Sequence, residues 1–408
     1  MLNIIWVGFF IFAFAGALIQ SFSGNTEVWA KMVESIFINA EGGFRIAINL
    51  TGILCFWLGL MKIAEASGLA NILAKLLKPL FYKIMPEVPQ NSPAFGSIVM
   101  NIAANVLGLD NAATPMGLKA MEQLQEVNPH KDRASDAQVL FMVINSSSVT
   151  LIPITILMYR FQAGSSAPAA VFIPILIATS ISTLIGFLAT ALWQKLNIFN
   201  RIVGVYLIMG ITFVVGIAWI FLSLDETNRT YFSYLASNVV LFSLVILFIL
   251  SGLVKKLNVY ELFVEGAKDG FKIAVQIIPY LVAMLVAIGV FRASGGFDCV
   301  CDWLAKLFEK IGLNTDFVAA IPTALMKPLS GSGARAMMLD TFSAYGVDSF
   351  VGFASSIIQG STETTFYVLA VYFGAVKISK TGAALPLALL ADLAGIITAV
   401  ILAYVFYN

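Results

Sequence analysis

Five ionisable residues stand inside stretches that otherwise read as membrane-buried: Asp110, Lys327, Arg335, Asp340 and Glu363. An ionisable group at membrane depth costs roughly 2.5–3.5 kcal/mol on insertion scales, so each needs a reason. Arg335 follows Ser330-Gly331-Ser332-Gly333. A Ser/Gly turn at a helix start presents free backbone N–H groups and the positive dipole end, which together attract anions. A guanidinium there adds a two-pronged fork for a carboxylate or phosphate. The competing reading pairs Arg335 internally with Asp110 or Asp340, holding two hairpins together. Glu363 lies within Gln359-Gly360-Ser361-Thr362-Glu363-Thr364-Thr365, where the glycine and hydroxyls let a helix unwind. Unwound carbonyls there can coordinate Na⁺, and a buried Glu is a natural proton carrier. Its alternative role is a structural pair with Lys327 or Arg335.

Uncharged donors and acceptors surround these groups. Asn101 and Asn105 fall four apart on one helical face, ahead of Gly108-Leu109-Asp110-Asn111. Thr114-Pro115 is then predicted to cap and open a second helix. A further polar break, Asn145-Ser146-Ser147-Ser148-Val149-Thr150, interrupts a long apolar run. Such residues either contact a polar solute or cross-link helices, at ~1 kcal/mol per bond. The candidate solute-binding set is Asn101, Asn105, Asp110, Asn111, Asn145, Ser146 and Ser147 from the first half. From the second half it takes Ser330, Ser332, Arg335, Gln359, Ser361, Thr362, Glu363 and Thr364.

The elements that must position this set follow from composition. Hydrophobic residues make up 59% of the 408-residue chain and charged residues 12%, with mean hydropathy +0.90. Soluble domains carry about 25% charged residues, so the chain is an all-α polytopic membrane protein. Runs of about 20 apolar residues cross a ~30 Å core. They are predicted at 3–22, 45–64, 135–160, 168–193, 201–223, 231–253, 271–292, 349–373 and 383–406. The first run lacks the basic flank of a signal peptide and is read as a retained span. Leu69–Tyr82 and Phe297–Ile311 place Lys on one face and Leu or Phe on the other, as in amphipathic helices at the interface. The stretches 92–128 and 316–346 are too short and polar to span, and are predicted to be re-entrant hairpins.

The halves repeat. Gly43-Phe-Arg45-Ile-Ala47 matches Gly270-Phe-Lys272-Ile-Ala274, and at the same offset Ala66-Ser67-Gly68 matches Ala293-Ser294-Gly295. Equivalent helices are separated by an odd number of crossings, so the repeats, 1–200 and 201–408, are inverted. Inverted repeats with helices broken near the midplane are the architecture of secondary transporters. With a cytoplasmic N-terminus, fifteen Lys and Arg fall inside and seven outside, Lys327 and Arg335 left aside. That excess is what the positive-inside rule expects.

Other chemistry finds little support. Three Cys and one His make a poor metal set, with His130 in a polar loop and Cys299-Val-Cys301 on an amphipathic stretch. There is no basic run for nucleic acid and no phosphate-binding Gly-x-x-x-x-Gly-Lys-Ser/Thr motif. No nucleophile–base pair is visible, so an enzyme is not expected.

The stretch Asn101 to Met121 resembles the signature of spore maturation protein A. Lys327-Pro-Leu-Ser-Gly-Ser-Gly-Ala-Arg335 and Gln359-Gly-Ser-Thr-Glu-Thr-Thr-Phe-Tyr367 resemble those of spore maturation protein B. The match extends over nearly the whole chain, as if two such proteins were fused. These families belong with the nucleoside-recognition, or gate, domains, which are also found in ferrous-iron transporters and are distantly similar to concentrative nucleoside transporters. The resemblance implies two re-entrant hairpins, two broken helices, and an elevator-like body moving against a scaffold. The expected function is secondary transport of a small zwitterionic or anionic solute, such as an amino acid or short peptide. A nucleoside is the alternative, and a non-transporting envelope-assembly scaffold the reading from another class. The expected setting is the plasma (inner) membrane, multi-pass, as a homo-oligomer in the lipid bilayer. No cofactor is expected beyond a coupling Na⁺ or H⁺, and no nucleic acid partner.

Overall fold

The computed structural model describes residues 2–107, 110–147, 149–150, 153–224 and 226–407, and every regular element among them is helical. The first half runs α1 (Leu2–Phe22), α2 (Glu27–Ser67), α3 (Leu69–Ile84), α4 (Ala94–Val106), α5 (Asp110–Val127), α6 (Asp136–Ser147), α7 (Ile154–Gln162) and α8 (Phe172–Trp193). After α9 (Arg201–Leu222) the second half repeats the order: α10 (Glu226–Val254), α11 (Val259–Ala293), α12 (Gly296–Lys310), α13 (Ile321–Met326), α14 (Gly331–Tyr345), α15 (Phe350–Gly360), α16 (Thr365–Ala375) and α17 (Ala384–Phe406). Seven of these helices, α1, α2, α8, α9, α10, α11 and α17, are long and apolar enough to cross a membrane. The runs predicted at 135–160 and 349–373 are each broken in two, after Ser147 and after Gly360.

Three boundaries differ from expectation. The helices predicted at 45–64 and 271–292 start much earlier, at Glu27 and Val259. With 41 and 35 residues they are about 60 and 50 Å long at 1.5 Å per residue. Nothing in the preceding polar stretches breaks a helix, and Glu41 pairs with Arg45 one turn on, in mid-helix. The second arm of the first hairpin begins at Asp110, so Thr114 is not its cap. Pro115 falls inside the helix, where its missing N–H removes one intrahelical bond.

The long helices α2 and α11 form the spine. A Cβ on Gly270 would lie 2.6 Å from the Cys55 Cα, and one on Gly43 would lie 3.1 Å from the Val282 Cα. Gly59 meets Phe263 and Gly266 meets the Leu58 carbonyl in the same manner, so the two backbones pack antiparallel at glycine distance. Small residues permit such approach, and dispersion then holds the helices together without help from water. The offset that carries Gly43 to Gly270 also carries Cys55 to Val282. One contact therefore maps onto the other with partners exchanged, which is the mark of a two-fold relation. The same exchange joins α8 and α17, where Gly186 packs on Ala391 and Gly395 on Ser182.

Gly68 and Gly295, equivalent by that relation, end α2 and α11 with φ of +75° and +72°. Their left-handed turns, accessible to glycine without a Cβ penalty, redirect the chain into the amphipathic helices α3 and α12. A polar latch joins the halves at the far end of α7. Arg160, 1% exposed, donates to Asp348 Oδ1 at 2.8 Å, the Val347 carbonyl and the Ser356 hydroxyl. Burial works to raise the Asp348 carboxyl, but hydrogen bonds from Ser165 and Ser166 and the Arg160 charge outweigh it and hold the group below the usual carboxylate range.

Two outcomes follow for stability. Gly270→Ala forces the α2 and α11 backbones apart and is expected to cost about 1–3 kcal/mol, the scale of overpacking. Gly43→Ala, with more room, should cost less. Equal thermal midpoints in detergent would mean the helices do not meet in this register. At the latch, Asp348→Ala leaves a buried guanidinium without its counter-charge and should destabilise more than Arg160→Met, which leaves only a carboxylate that is 39% exposed. Because the Asp348 carboxyl is held low, its contribution is present above the ordinary carboxylate value. It is lost as pH falls through the folded value, so the gap between wild type and Asp348→Ala should narrow below about pH 4. Thermal melts of both variants across an acid series check the order and the sign.

Candidate solute-binding site

Each helix break frees backbone groups that must find partners where water is scarce. At the first break the Ser146 and Ser147 hydroxyls donate back to the Val143 carbonyl, at 3.0 and 2.9 Å. The Ser147 carbonyl accepts from Thr183 Oγ1 of α8 at 2.6 Å. At the second break the Ser361 hydroxyl donates to the Ile358 carbonyl at 2.8 Å. The two breaks bond to each other, since the Glu363 N–H donates to the Ser146 carbonyl at 2.8 Å. The tip of the second hairpin joins them: the Phe366 N–H donates to the Pro328 carbonyl at 2.9 Å.

A cavity of about 1020 Å³ opens beside these junctions, at the upper end of the size that holds small-molecule ligands. Hairpin 2, formed by α13 and α14, supplies Lys327, Ser330, Gly331, Ser332 and Arg335. The second break supplies Gln359, Thr362, Glu363 and Thr364, and the first break Thr150 and Thr155. Asn105 reaches it from the first hairpin, formed by α4 and α5. Met61 of α2 and Gln276 and Tyr280 of α11 close the side against the spine.

Of the residues singled out in the sequence, Asn105, Ser330, Ser332, Arg335, Gln359, Thr362, Glu363 and Thr364 line this cavity. Asn101, Asn145, Ser146, Ser147 and Ser361 are buried behind it. The side chains of Asp110 and Asn111, and all of Ser148, lie outside the described residues. The buried asparagines form one network. Asn101 Nδ2 donates to the Ala113 carbonyl at 2.8 Å and to the Tyr372 hydroxyl at 3.2 Å. Tyr372 donates to Asn145 Oδ1 at 3.2 Å, which also accepts from Asn105 Nδ2 at 2.8 Å. Hairpin 1 is thereby tied to both broken helices as one body.

Helix α14 starts at Gly331, with the Ser330 hydroxyl accepting from the Gly333 N–H at 3.0 Å. The first N–H groups of a helix have no intrahelical partner, and Gly331 and Ser332 bring theirs to the cavity wall. Arg335 Nε donates to the Gly331 carbonyl at 3.2 Å. Among the described side chains no ion pair joins Arg335 to Asp340, or Glu363 to Lys327 or Arg335, while the pairing with Asp110 weighed for Arg335 lies outside them. Asp340 instead pairs with Arg292 of α11, which also lies 3.9 Å over the Phe297 ring. Arg335 and Asp340 are five apart on one helix, and only residues three or four apart share a face. The charged residues lining the cavity are thus Lys327, Arg335 and Glu363, with an excess of one positive charge.

Two residues of this region were not singled out. Tyr372 sits in an ordinary apolar run, and nothing in the sequence marks it. Asp392 is the only ionisable side chain of α17 apart from Tyr404 near its end, and it is 1% exposed. It accepts from Thr365 Oγ1 at 2.7 Å. The cost of an ionisable group at membrane depth marks it as plainly as Glu363.

Fold and site define an all-α, multi-pass membrane protein whose polar cavity sits at paired helix breaks. The chain belongs to the nucleoside-recognition (Gate) family, which matches residues 47–162 and 274–379, one stretch in each half. It is 50% identical over 160 residues to spore maturation protein B of Bacillus subtilis (strain 168), covering 39% of this chain and 88% of that one. It is 39% identical over 182 residues to spore maturation protein A of the same organism, covering 45% of this chain and 90% of that one. No solved structure matches it.

Tyr372→Phe tests the network that binds hairpin 1 to the breaks. Losing one buried hydroxyl that serves two asparagines should cost about 1–3 kcal/mol, read as a lower thermal midpoint. No change would place the hydroxyl outside the network.

Proposed function

We propose that the protein is a secondary transporter working by alternating access, with its solute site in the cavity at the helix breaks. The observation that carries this reading is Arg335. Its guanidinium stands beside the N-terminal turn of α14, facing a roomy cavity with no carboxylate within 4 Å among the described residues. An arginine placed there is short of an anion. Lys327 adds to the positive field, and Glu363 offers one place for an amine or cation. The chemistry suits a small anionic or zwitterionic solute, such as an amino acid or short peptide, held by Arg335, Ser330 and Ser332 on one side. A nucleoside is the second reading, favoured by the family's name and by the amide and hydroxyl groups of Asn105, Gln276 and Gln359.

The division of the molecule supports an elevator-like motion. The glycine-packed pair α2 and α11 would be the fixed part of a scaffold. The hairpins and broken helices, tied together by the Asn101–Tyr372–Asn145 network and the Glu363–Ser146 bond, would be the moving body. The Arg292–Asp340 pair crosses that boundary and would have to open. The repeats, 1–200 and 201–408, would lie inverted in the plasma membrane with the N-terminus cytoplasmic, as the distribution of Lys and Arg supports.

Thermal stabilisation of the purified protein across amino acids, dipeptides, dicarboxylates and nucleosides tests the reading. A ligand present at a hundred times its Kd stabilises by about 2.7 kcal/mol. The expected result is a hit among the anionic or zwitterionic compounds that Arg335→Ala abolishes without lowering the midpoint of the unliganded protein. Silence across the panel in a folded, monodisperse sample would favour a non-transporting scaffold.

A further inference from the structure

Helices α8 and α17 occupy equivalent places, each packed against a helix break. The offset that carries Gly186 to Gly395 carries Thr183 to Asp392. Thr183 meets the needs of the first break with a neutral hydroxyl donated to the Ser147 carbonyl. The second break receives a carboxylate in that position, so the break itself does not demand a charge. Asp392 is also short of partners. Its Oδ2 accepts from Thr365, while its Oδ1 is buried without a hydrogen bond among the described residues. The Thr362 hydroxyl lies beside the carboxyl, close enough to act on it but outside good hydrogen-bond geometry. An ionised carboxylate has about four acceptor sites to satisfy, and a single well-formed donor leaves most of them unmet in a buried place.

We propose that Asp392 is a proton-binding site behind the solute cavity, and that Lys327 relays its charge state to the solute. A proton from cavity water bonds to Oδ1 and converts the carboxylate to a neutral acid. The Oδ1–H then donates to the Thr362 oxygen, and no carboxylate charge is left buried beside so few donors. Thr362 lines the cavity while Asp392 does not, and the Thr362 hydroxyl is buried on the side of the acid. Lys327 is buried at the end of α13 and faces both Asp392 and Glu363. With Asp392 ionised, part of its charge is neutralised by that carboxylate. With Asp392 protonated, the Lys327 charge acts on the cavity alone and joins Arg335 in drawing an anion. Acid therefore favours anion binding, and proton and anion move together.

The other groups around α17 do not compete for this role. Neither α8 nor α15 carries an ionisable residue, and α6 has only Asp136 at its opposite end. Helix α16 contributes Tyr367 and Tyr372, and the charged groups that act on Asp392 are Lys327 of hairpin 2 and Glu363 of the second break.

The coupling rests on the transporter reading; the proton site does not. Infrared difference spectroscopy of the purified full chain, with acid and alkaline buffers as the only probe, reads it directly. The expected signal is a protonated-carboxyl carbonyl band that grows as pH falls and shifts in deuterium oxide. It should be absent in Asp392→Asn, retained in Glu363→Gln, and persist to higher pH in Lys327→Met. If Asp392→Asn does not fold, Asp392→Glu should keep the band at a changed frequency. A band that ignores every Asp392 variant, or no band in the wild type, overturns the proposal. So does a band removed by sodium chloride and not by choline chloride, which would assign the carboxylate to Na⁺. A titrating band in a protein that binds nothing in the solute panel supports the proton site and counts against transport. A solute hit without the band does the reverse.

Discussion

A backbone N–H or carbonyl freed at membrane depth has no water to turn to, and this need shapes the centre of the protein. Two helices are interrupted, after Ser147 and after Gly360, and the released groups are met by serine hydroxyls of the same helix, by Thr183 of α8 and by each other. The bond from the Glu363 N–H to the Ser146 carbonyl is the key one. It places two interruptions from opposite halves of the chain in contact. Everything polar that the cavity offers is then held at a fixed distance from that junction. A break satisfied by water alone would have left the same side chains on a loose strand.

The two-fold relation between the halves serves the framework more than the chemistry. Contacts exchange cleanly along the spine, where Gly43 and Gly270 trade partners, and again between α8 and α17. The charges do not follow the symmetry. Among the described side chains, the cavity-facing Lys327, Arg335 and Glu363 all come from the second half, as does Asp392 behind them. The first half contributes Asn105, Thr150 and Thr155 and the buried asparagines that Tyr372 of the second half joins. The second half thus supplies the charged side chains that face the cavity, and the first half neutral ones.

The placement of Arg292 shows how scaffold and cavity influence each other. Had Asp340 faced Arg335, the guanidinium would have been held in an internal pair. Helical periodicity turns Asp340 toward α11 instead, where Arg292 and the Phe297 ring hold it. The same contact secures hairpin 2 against the spine. One ion pair therefore both frees Arg335 and fastens the element that carries it.

Class, the long apolar helices and the matched motifs of the two halves were legible in the sequence because they depend on local properties. Hydropathy over about 20 residues marks a span, polar runs such as Gln359–Thr365 mark a break, and matched glycine motifs reveal the repeat. The amphipathic helices and both hairpins could be read in the same way. Asp392 was equally legible by the cost of a buried charge, although its place in a strongly apolar run hid it. Partners were not legible. No local pattern shows that Asn101 and Asn145 meet through Tyr372, 271 and 227 residues away. Nor does one show that Arg335 escapes Asp340, or that Asp392 lies beside Thr362. Those facts depend on which faces the helices turn to one another. Only the close packing of glycines along α2 and α11, and of the breaks against α8 and α17, decides that, because a helix specifies its own residues' angular positions but not the neighbour it will face.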